Sequence, residues 1–371
     1  MAGIYVHIPF CKSRCIYCGF FSTTLLHERG RYVDALCAEL QRRKDFLHGE
    51  TIETIYFGGG TPSQLAVTDV EKVLQHIYNI YNVYDRAEIT LEGNPDDLTP
   101  DYLRALKAIG INRLSIGVQT FSDARLKFLN RRHSATQAIS AVENAQKAGF
   151  TNISIDLMFG FPSQTLVEWQ QDVRQALSLN IQHMSAYSLM YEEGTRLGCL
   201  LDAGEVEEVV DEVSLQMYEH LMDATTEAGF EHYEISNFSL PGMHSRHNSS
   251  YWHNVPYLGI GAGAHSYDGR DRCFNPDSLS DYLRGSSPVV ERLTEAERYD
   301  EYVFTGLRTS SGINLSALER LFGTTYKDYC MHNSARHIAS GRLLLVGDIL
   351  RLSRQGLFVS NDVMSDLMWV E

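Results

Sequence analysis

Three cysteines, Cys11, Cys15 and Cys18, stand four and three residues apart, directly after a short apolar run from Ile4 to Ile8. A loop with that spacing can aim three thiolates at one face of an iron–sulfur cube, and soft thiolate sulfur is the usual ligand for such clusters. A [4Fe–4S] cube has four irons, so three thiolates leave one iron open to hold and activate a small molecule. A structural zinc module would need a fourth thiol or imidazole at close spacing, and none follows. Core packing is a poor account of three cysteines set among Lys12, Arg14 and Gly19. A disulfide framework calls for an even count and an oxidising compartment, and this chain has 7 cysteines. The other four, Cys37, Cys199, Cys273 and Cys330, are isolated and read as structural.

The first two hundred residues alternate strand-like and helix-like stretches. Apolar runs of strand length occur at 4–8, 54–57, 88–92, 113–118, 152–158 and 183–189, and amphipathic segments lie between them at 31–46, 67–81, 100–109, 134–148 and 166–177. This alternation predicts parallel strands with crossover helices. Six units predict a partial (β/α)6 TIM-like barrel, whose site lies at the C-terminal strand ends.

The polar motifs fall at those ends. Gly58-Gly59-Gly60-Thr61-Pro62 follows the second strand, where glycine lets backbone approach a ligand. Glu92 ends the third strand, where a carboxylate without a partner would be costly. Gln119 ends the fourth and is followed by Arg131-Arg132; Asp156 sits inside the apolar fifth.

Together these motifs resemble the radical S-adenosylmethionine (SAM) superfamily, for which Cys-x3-Cys-x2-Cys near the start of an α/β chain is the signature. Tyr5-Val6-His7-Ile8-Pro9-Phe10-Cys11 is similar to the branch holding the oxygen-independent coproporphyrinogen III oxidases and the haem chaperones. The resemblance implies that the cysteines hold a [4Fe–4S] cluster. It implies that Tyr5, Tyr17, Gly59, Gly60, Thr61, Glu92, Gln119, Arg131 and Asp156 contact SAM, with Arg132 the alternative to Arg131. Ile260 and Ala262, in the small-residue loop Leu258–Ser266, match the segment that closes over SAM.

Further on, His247-Asn248-Ser249-Ser250-Tyr251-Trp252 resembles a motif of the haem chaperones that is associated with haem. An imidazole can ligate haem iron axially and aromatic rings can cover a porphyrin face. His247 is the expected ligand, ahead of His244, with Asn248, Tyr251 and Trp252 beside it. The oxidases carry a fourth cysteine two residues after the third; here that position is Phe20. The resemblance therefore favours a haem chaperone that delivers haem as cargo to apo-haemoproteins such as respiratory enzymes, with an electron donor for the cluster. The alternatives are the oxidase, which makes protoporphyrinogen IX, and a radical methyltransferase that opens haem.

From about Pro288 the character changes. Helices at 296–307, 315–322 and 326–340 precede short strands at 343–346, 349–352 and 356–359, which predicts a small winged-helix-like α+β domain. The barrel with its extension is expected over residues 1–285 and the small domain over 286–371. The net charge, 32 − 47 = −15, argues against nucleic-acid binding, which needs clustered cations. No apolar run of about 18 residues is present, and the start of the chain lacks a signal-peptide pattern. A cytoplasmic location is expected, with membrane contact only peripheral; the resemblance also allows a homodimer.

Overall fold

The computed structural model describes residues 1–370. Its first part repeats a strand and a helix: β1 (Ala2–Ile8), α1 (Arg29–Arg42), β2 (Ile52–Gly59), α2 (Val67–Ile80), β3 (Val83–Gly93), α3 (Pro100–Ala108) and β4 (Arg113–Gln119). It continues with the short α4 (Asp123–Phe128), then α5 (Ala135–Lys147), β5 (Ile153–Phe159), α6 (Leu166–Ser178) and β6 (His183–Ser188). The six strands pair in sequence order and are all parallel. Helices start where the sequence supplies caps. Ser134 with Gln137 and Thr165 with Glu168 form capping boxes that open α5 and α6.

Strand alternation decides what lies on each side of the sheet. Ile4, Val6 and Ile8, Ile55 and Phe57, Leu91, Leu114 and Ile116, and Ile153 and Ile155 are fully buried toward the helices. The intervening positions are mostly polar: Thr54 and Tyr56, Glu88, Thr90 and Glu92, Arg113 and Ser115, Ser154 and Asp156, His183 and Ser185. Tyr56, Glu92, Ser115, Asp156 and Ser185, from five successive strands, line one cavity. The sheet therefore curls around a polar lumen, with its apolar face turned to the helices.

The extension wraps both edges of this partial barrel. After α7 (Arg196–Asp202) and α8 (Asp211–Glu227), β7 (Glu231–Glu234) and β8 (Asn237–Ser239) pair antiparallel, and β8 borders β6. Then α9 (Arg246–Trp252) leads to β9 (Tyr257–Ile260), which lies parallel to β1. Strands β10 (His265–Tyr267) and β11 (Arg272–Phe274), helix α10 (Leu279–Leu283) and β12 (Val289–Glu291) complete the other edge. The large sheet thus continues to Glu291, past the boundary drawn at residue 285.

The last part has its own core, built around Tyr299, Val303, Leu307, Leu318, Leu350 and Val363. Its elements are α11 (Glu295–Leu307), β13 (Ile313–Asn314), α12 (Leu315–Phe322), α13 (Thr324–Ala339), β14 (Leu343–Val346), β15 (Ile349–Leu352), α14 (Arg354–Phe358) and α15 (Ser360–Leu367). The three strands form an antiparallel sheet in the order β13-β15-β14. The strand expected at 356–359 is instead part of helix α14 and the turn after it. Ser353 Oγ caps Gly356 N–H at 3.0 Å, and a side chain at Gly356 would strike the Arg342 carbonyl. Short apolar runs leave helix and strand ambiguous, and a cap decided this one. The third strand, β13, is two residues long and carries no sequence pattern. Among the described residues no helix is long and apolar enough to cross a membrane.

A buried carboxylate fastens the edge of the barrel. Glu39, 2% exposed on α1, accepts from Tyr282 Oη at 2.7 Å, Asn275 Nδ2 at 2.8 Å, Gly261 N–H at 3.0 Å and Arg43 Nη1 at 3.3 Å. Gly261 has φ +102°, and a Cβ there would meet the His7 carbonyl at 2.6 Å, so only glycine lets this loop seat against β1. Glu39→Ala, which orphans four donors, is expected to cost about 3–5 kcal/mol in denaturant unfolding. Glu39→Gln is expected to cost roughly 1–3 kcal/mol. An Ala variant within about 1 kcal/mol of the parent would show that the network does not hold the edge.

Candidate functional site

The cavity at the C-terminal strand ends measures about 580 Å3. The loop after β1 brings Cys11, Cys15 and Cys18 to its mouth, with Tyr17 beside them. Gly59, Gly60 and Thr61 come from the end of β2, Glu92 and Asn94 from β3, Gln119 from β4, Asp156 from β5 and Tyr187 from β6. Each strand end therefore contributes a polar group to one concave site.

Local constraints explain several of these positions. A Cβ on Gly60 would lie 2.8 Å from the Pro9 carbonyl oxygen and 3.0 Å from Cys11 Sγ, so the glycines let the cysteine loop pack down on β2. Cys11 Sγ lies 3.3 Å from Thr61 Oγ1, and burial pushes the Cys11 and Cys18 thiols up. Gln119 is held at φ +68° where the β4–β5 register shifts, a strained non-glycine position of the kind that clusters at functional sites.

The structure separates the two adjacent arginines. Arg131 enters the cavity: it donates to the Gly117 carbonyl at 2.6 Å and to Asn94 Oδ1, and its Nη1 lies 3.5 Å from Cys15 Sγ. Arg132 also reaches the wall but is engaged by Asp96 at 2.8 Å and Asp97 at 3.3 Å.

The two acids of the site are held without an ion pair among the described residues. Glu92 accepts from Tyr56 Oη at 2.8 Å and from Gly59 N–H at 3.1 Å, while Asp156 accepts from Ser115 Oγ at 3.3 Å. Removal from water raises the Glu92 carboxyl to about 7 and the Asp156 carboxyl to about 6.

Of the remaining expected residues, Tyr5 lies in the lumen outside this cavity, its hydroxyl 3.0 Å from His7 Nδ1. Ile260 and Ala262 are fully buried against the end of β1. The segment 247–252 is helix α9, and it divides its side chains. Asn248 lines the cluster-side cavity. His247 is 1% exposed, with Nδ1 2.7 Å from Thr54 Oγ1 and Nε2 2.9 Å from Tyr251 Oη. Both ring nitrogens are thus engaged, and burial lowers the imidazole to about 3, so the ring is neutral. Tyr251 and Trp252 line a second cavity of about 540 Å3 between α9, β9 and α11, with Tyr267, Phe304 and Met368. The Arg308 guanidinium stands 4.8 Å over the Trp252 ring and ion-pairs with Glu234 at 2.8 Å. His244 stacks on Tyr233 and bonds Glu231 at 2.9 Å, away from both cavities.

Sequence reasoning missed Arg113, Tyr56, Ser115, Ser185 and Tyr187, which also line the first cavity. Their signal is the period-two alternation inside strands read as continuous apolar runs. In β4, Arg113, Ser115, Gly117 and Gln119 alternate with Leu114, Ile116 and Val118.

The radical SAM superfamily profile matches residues 5–176, and the HemN C-terminal domain profile matches residues 293–359. The heme chaperone HemW of Lactococcus lactis is 37% identical over 87% of this chain and 86% of its own length. That of Bacillus subtilis is 35% identical over 98% of each. The chain belongs to the HemW family of radical SAM proteins. In structure it is similar to the coproporphyrinogen III oxidase HemN of Escherichia coli, with a TM-score of 0.85 over 99% of this chain and 90% of that one, at 22% identity. That likeness establishes a shared fold: a radical SAM barrel followed by a small C-terminal domain.

Membership of the superfamily implies a [4Fe–4S] cluster and SAM. The residues at the cavity mouth fit both. The three thiols do not converge on a single-ion site, and a cube takes each thiolate on a different iron. The Arg131 guanidinium beside Cys15 suits thiolate sulfur. Each of Cys11→Ser, Cys15→Ser and Cys18→Ser is expected to lose the visible absorption and most of the iron after anaerobic reconstitution. Cys37→Ser, at a buried thiol on α1, is expected to keep both. Iron retained in all three variants would place the cluster elsewhere.

Proposed function

We propose that the chain is a haem chaperone: it binds haem and hands it to apo-haemoproteins, with a [4Fe–4S] cluster and SAM held in the barrel cavity. The observation that carries this reading is the match to a HemW relative over 98% of both chains. The His-Asn-x-x-Tyr-Trp helix supports it, because one short element presents Asn248 to the cluster-side cavity and Tyr251 with Trp252 to the aromatic cavity. Phe20, where the oxidases carry a fourth cysteine, is 71% exposed at the cavity mouth.

The cluster and SAM together supply one-electron chemistry when bound. This chain's residues bind, orient and shield. Cys11, Cys15 and Cys18 would hold the cluster at the cavity mouth. Glu92 and Asp156 would accept hydrogen bonds from SAM, and Arg131, Gln119 and Tyr17 would bind and orient it. The aromatic cavity is of a size to take a ligand as large as a tetrapyrrole. For His247 to ligate haem iron, its bond to Thr54 or to Tyr251 has to open; closed, it anchors α9 and positions Asn248 and Trp252.

Anaerobic haem titration of the reconstituted protein, followed at the Soret band, tests the reading. Stoichiometric binding is expected, weakened about tenfold in Trp252→Ala, a loss of about 1.4 kcal/mol. A Soret maximum displaced in His247→Ala makes that imidazole an axial ligand; an undisplaced maximum with weaker binding makes it a positioning residue. Absence of binding would sink the chaperone reading and leave the coproporphyrinogen assay to decide.

SAM binding is expected to depend on pH. Below about pH 7 Glu92 takes up a proton and cannot pair with an ammonium, so affinity falls as pH falls. Between pH 8 and pH 6 the ionised fraction of a group titrating at about 7 drops about tenfold, and SAM affinity by equilibrium dialysis is expected to follow. Glu92→Gln is expected to bind weakly with a flattened profile; an unchanged profile would remove Glu92 from the SAM contacts.

A further inference from the structure

The edge of the barrel beyond β1 builds a surface that the cluster-side cavity does not use. Strand β10 pairs antiparallel with both β9 and β11, and Tyr267 stands opposite Tyr257 on one side and Arg272 on the other. Residues opposite in register share a face of the sheet, so two phenol rings and a guanidinium form one row. All three line the aromatic cavity, and helix α11 faces them across it with Glu301 and Phe304, three residues apart on one helix face. The Tyr251 ring meets that of Tyr257 edge to face at 4.6 Å. Neither the Tyr257 nor the Tyr267 hydroxyl has a hydrogen-bond partner among the described residues.

Arg272 is the one cation among the lining residues, and its partner is Glu301, with Nη2 2.9 Å from Oε1. The pair joins the barrel edge to the C-terminal domain. The Arg272 side chain is 41% exposed, and an ion pair open to water on one side is weak. Burial pushes the Glu301 carboxyl up, against the pull of Arg272, so Glu301 is an imperfect counter-ion. The other acid of the cavity, Asp300, accepts from Trp369 N–H at 2.7 Å. The guanidinium thus already seats one carboxylate and holds it loosely. A ligand that brings a carboxylate on an apolar ring keeps the ion pair and adds contact with the tyrosines, so it can take the place of Glu301 with little electrostatic loss. A doubly charged phosphate would face Asp300 and Glu301 with its second charge.

We propose that Arg272 is the carboxylate clamp of the aromatic cavity: an acid group of a planar ligand displaces Glu301 from the guanidinium while the ring of the ligand lies against Tyr257 and Tyr267. This rests on the haem reading above, in which the acid group is a propionate. Glu301 is then a competitor carried by the chain itself. It lowers the affinity for an acidic ligand, and its return to Arg272 helps the ligand leave.

The test titrates the full-length reconstituted protein with haem and with haem dimethyl ester, followed at the Soret band, in the parent, Arg272→Met, Arg272→Lys and Glu301→Gln. The parent is expected to prefer haem to its ester. That preference is expected to fall at least about tenfold in Arg272→Met and to recover in part in Arg272→Lys. Glu301→Gln removes the competitor and keeps its shape; it is expected to tighten haem about threefold and to leave the ester within about twofold of the parent. A haem-to-ester ratio in Arg272→Met within about twofold of the parent's overturns the proposal, as does a parent that binds both probes equally. Glu301→Gln that weakens both probes alike overturns it too, and makes the ion pair a structural strap between the barrel and the C-terminal domain. If Arg272→Met does not fold, Glu301→Gln decides by the same ratio. Failure of both probes to bind the parent sinks the chaperone reading and the clamp with it; binding of both with unmoved ratios sinks the clamp alone.

Discussion

Hydrogen bonds inside the lumen hold this barrel closed. Its sheet turns Ile, Leu and Val toward the helices and polar side chains toward the axis, so apolar packing cannot fill the interior. Each buried polar group needs a partner. Near the start of the strands they find one another: Ser154 Oγ lies 2.7 Å from His183 Nδ1, His183 Nε2 lies 2.7 Å from Tyr233 Oη, and Thr54 bonds His247. Elsewhere the pairing is incomplete: Arg113, at the start of β4, and its register neighbour Thr90 keep unpaired atoms, and Glu92 and Asp156 form no ion pair among the described residues.

The helix α9 packs across the lumen at the start of β2 and β3. The N–H groups of Arg246 and His247, at the start of this helix, donate to the Glu88 carboxylate at 3.2 and 3.1 Å, a favourable pairing for a helix N-terminus. His247 then stacks on Tyr56, with ring centroids 5.0 Å apart, while its ring nitrogens bolt β2 to Tyr251. This explains the spacing of the motif: residues 247 and 251 share one face and meet each other, while residues 248 and 252 point to different cavities. Because α9 is seven residues long and fixed at both ends, Asn248 and Trp252 are set by the same few hydrogen bonds. Arg308, stacked over Trp252 and paired with Glu234, ties the C-terminal domain to that helix.

Much of this was legible in the sequence, for identifiable reasons. The six strands and their crossover helices show as periodic apolar segments, and every predicted strand overlaps an observed one to within a few residues except at 83–87, where β3 starts early with exposed residues, and at 356–359, where a serine cap made a helix. The cysteine loop is legible because its ligand chemistry depends on spacing alone. Arg113 was not, because it is the first residue of a strand and reads as a solvated end. Glu39 was hidden for a similar reason: a carboxylate on an amphipathic helix is ordinarily exposed, and only the fold brings Asn275 and Tyr282 to it. Arg131 and Arg132 look alike until Asp96 and Asp97 claim one of them. The His-Asn-x-x-Tyr-Trp motif was legible as a pattern, but its division between anchor and lining follows from helix geometry against two cavities.

The charges of the cavity complete the physical picture. With no ligand, removal from water raises the Glu92 and Asp156 carboxyls to about 7 and about 6, so near neutral pH Asp156 is largely ionised and Glu92 is divided between its two forms. SAM brings a sulfonium and an ammonium beside a carboxylate, one net positive charge. In the reading proposed above, its cationic groups would stabilise the ionised forms of both acids. The register in which Thr90 meets Arg113 and Glu92 meets Ser115 sets the layering of β3 and β4, and that layering brings buried acids and a buried guanidinium into one lumen.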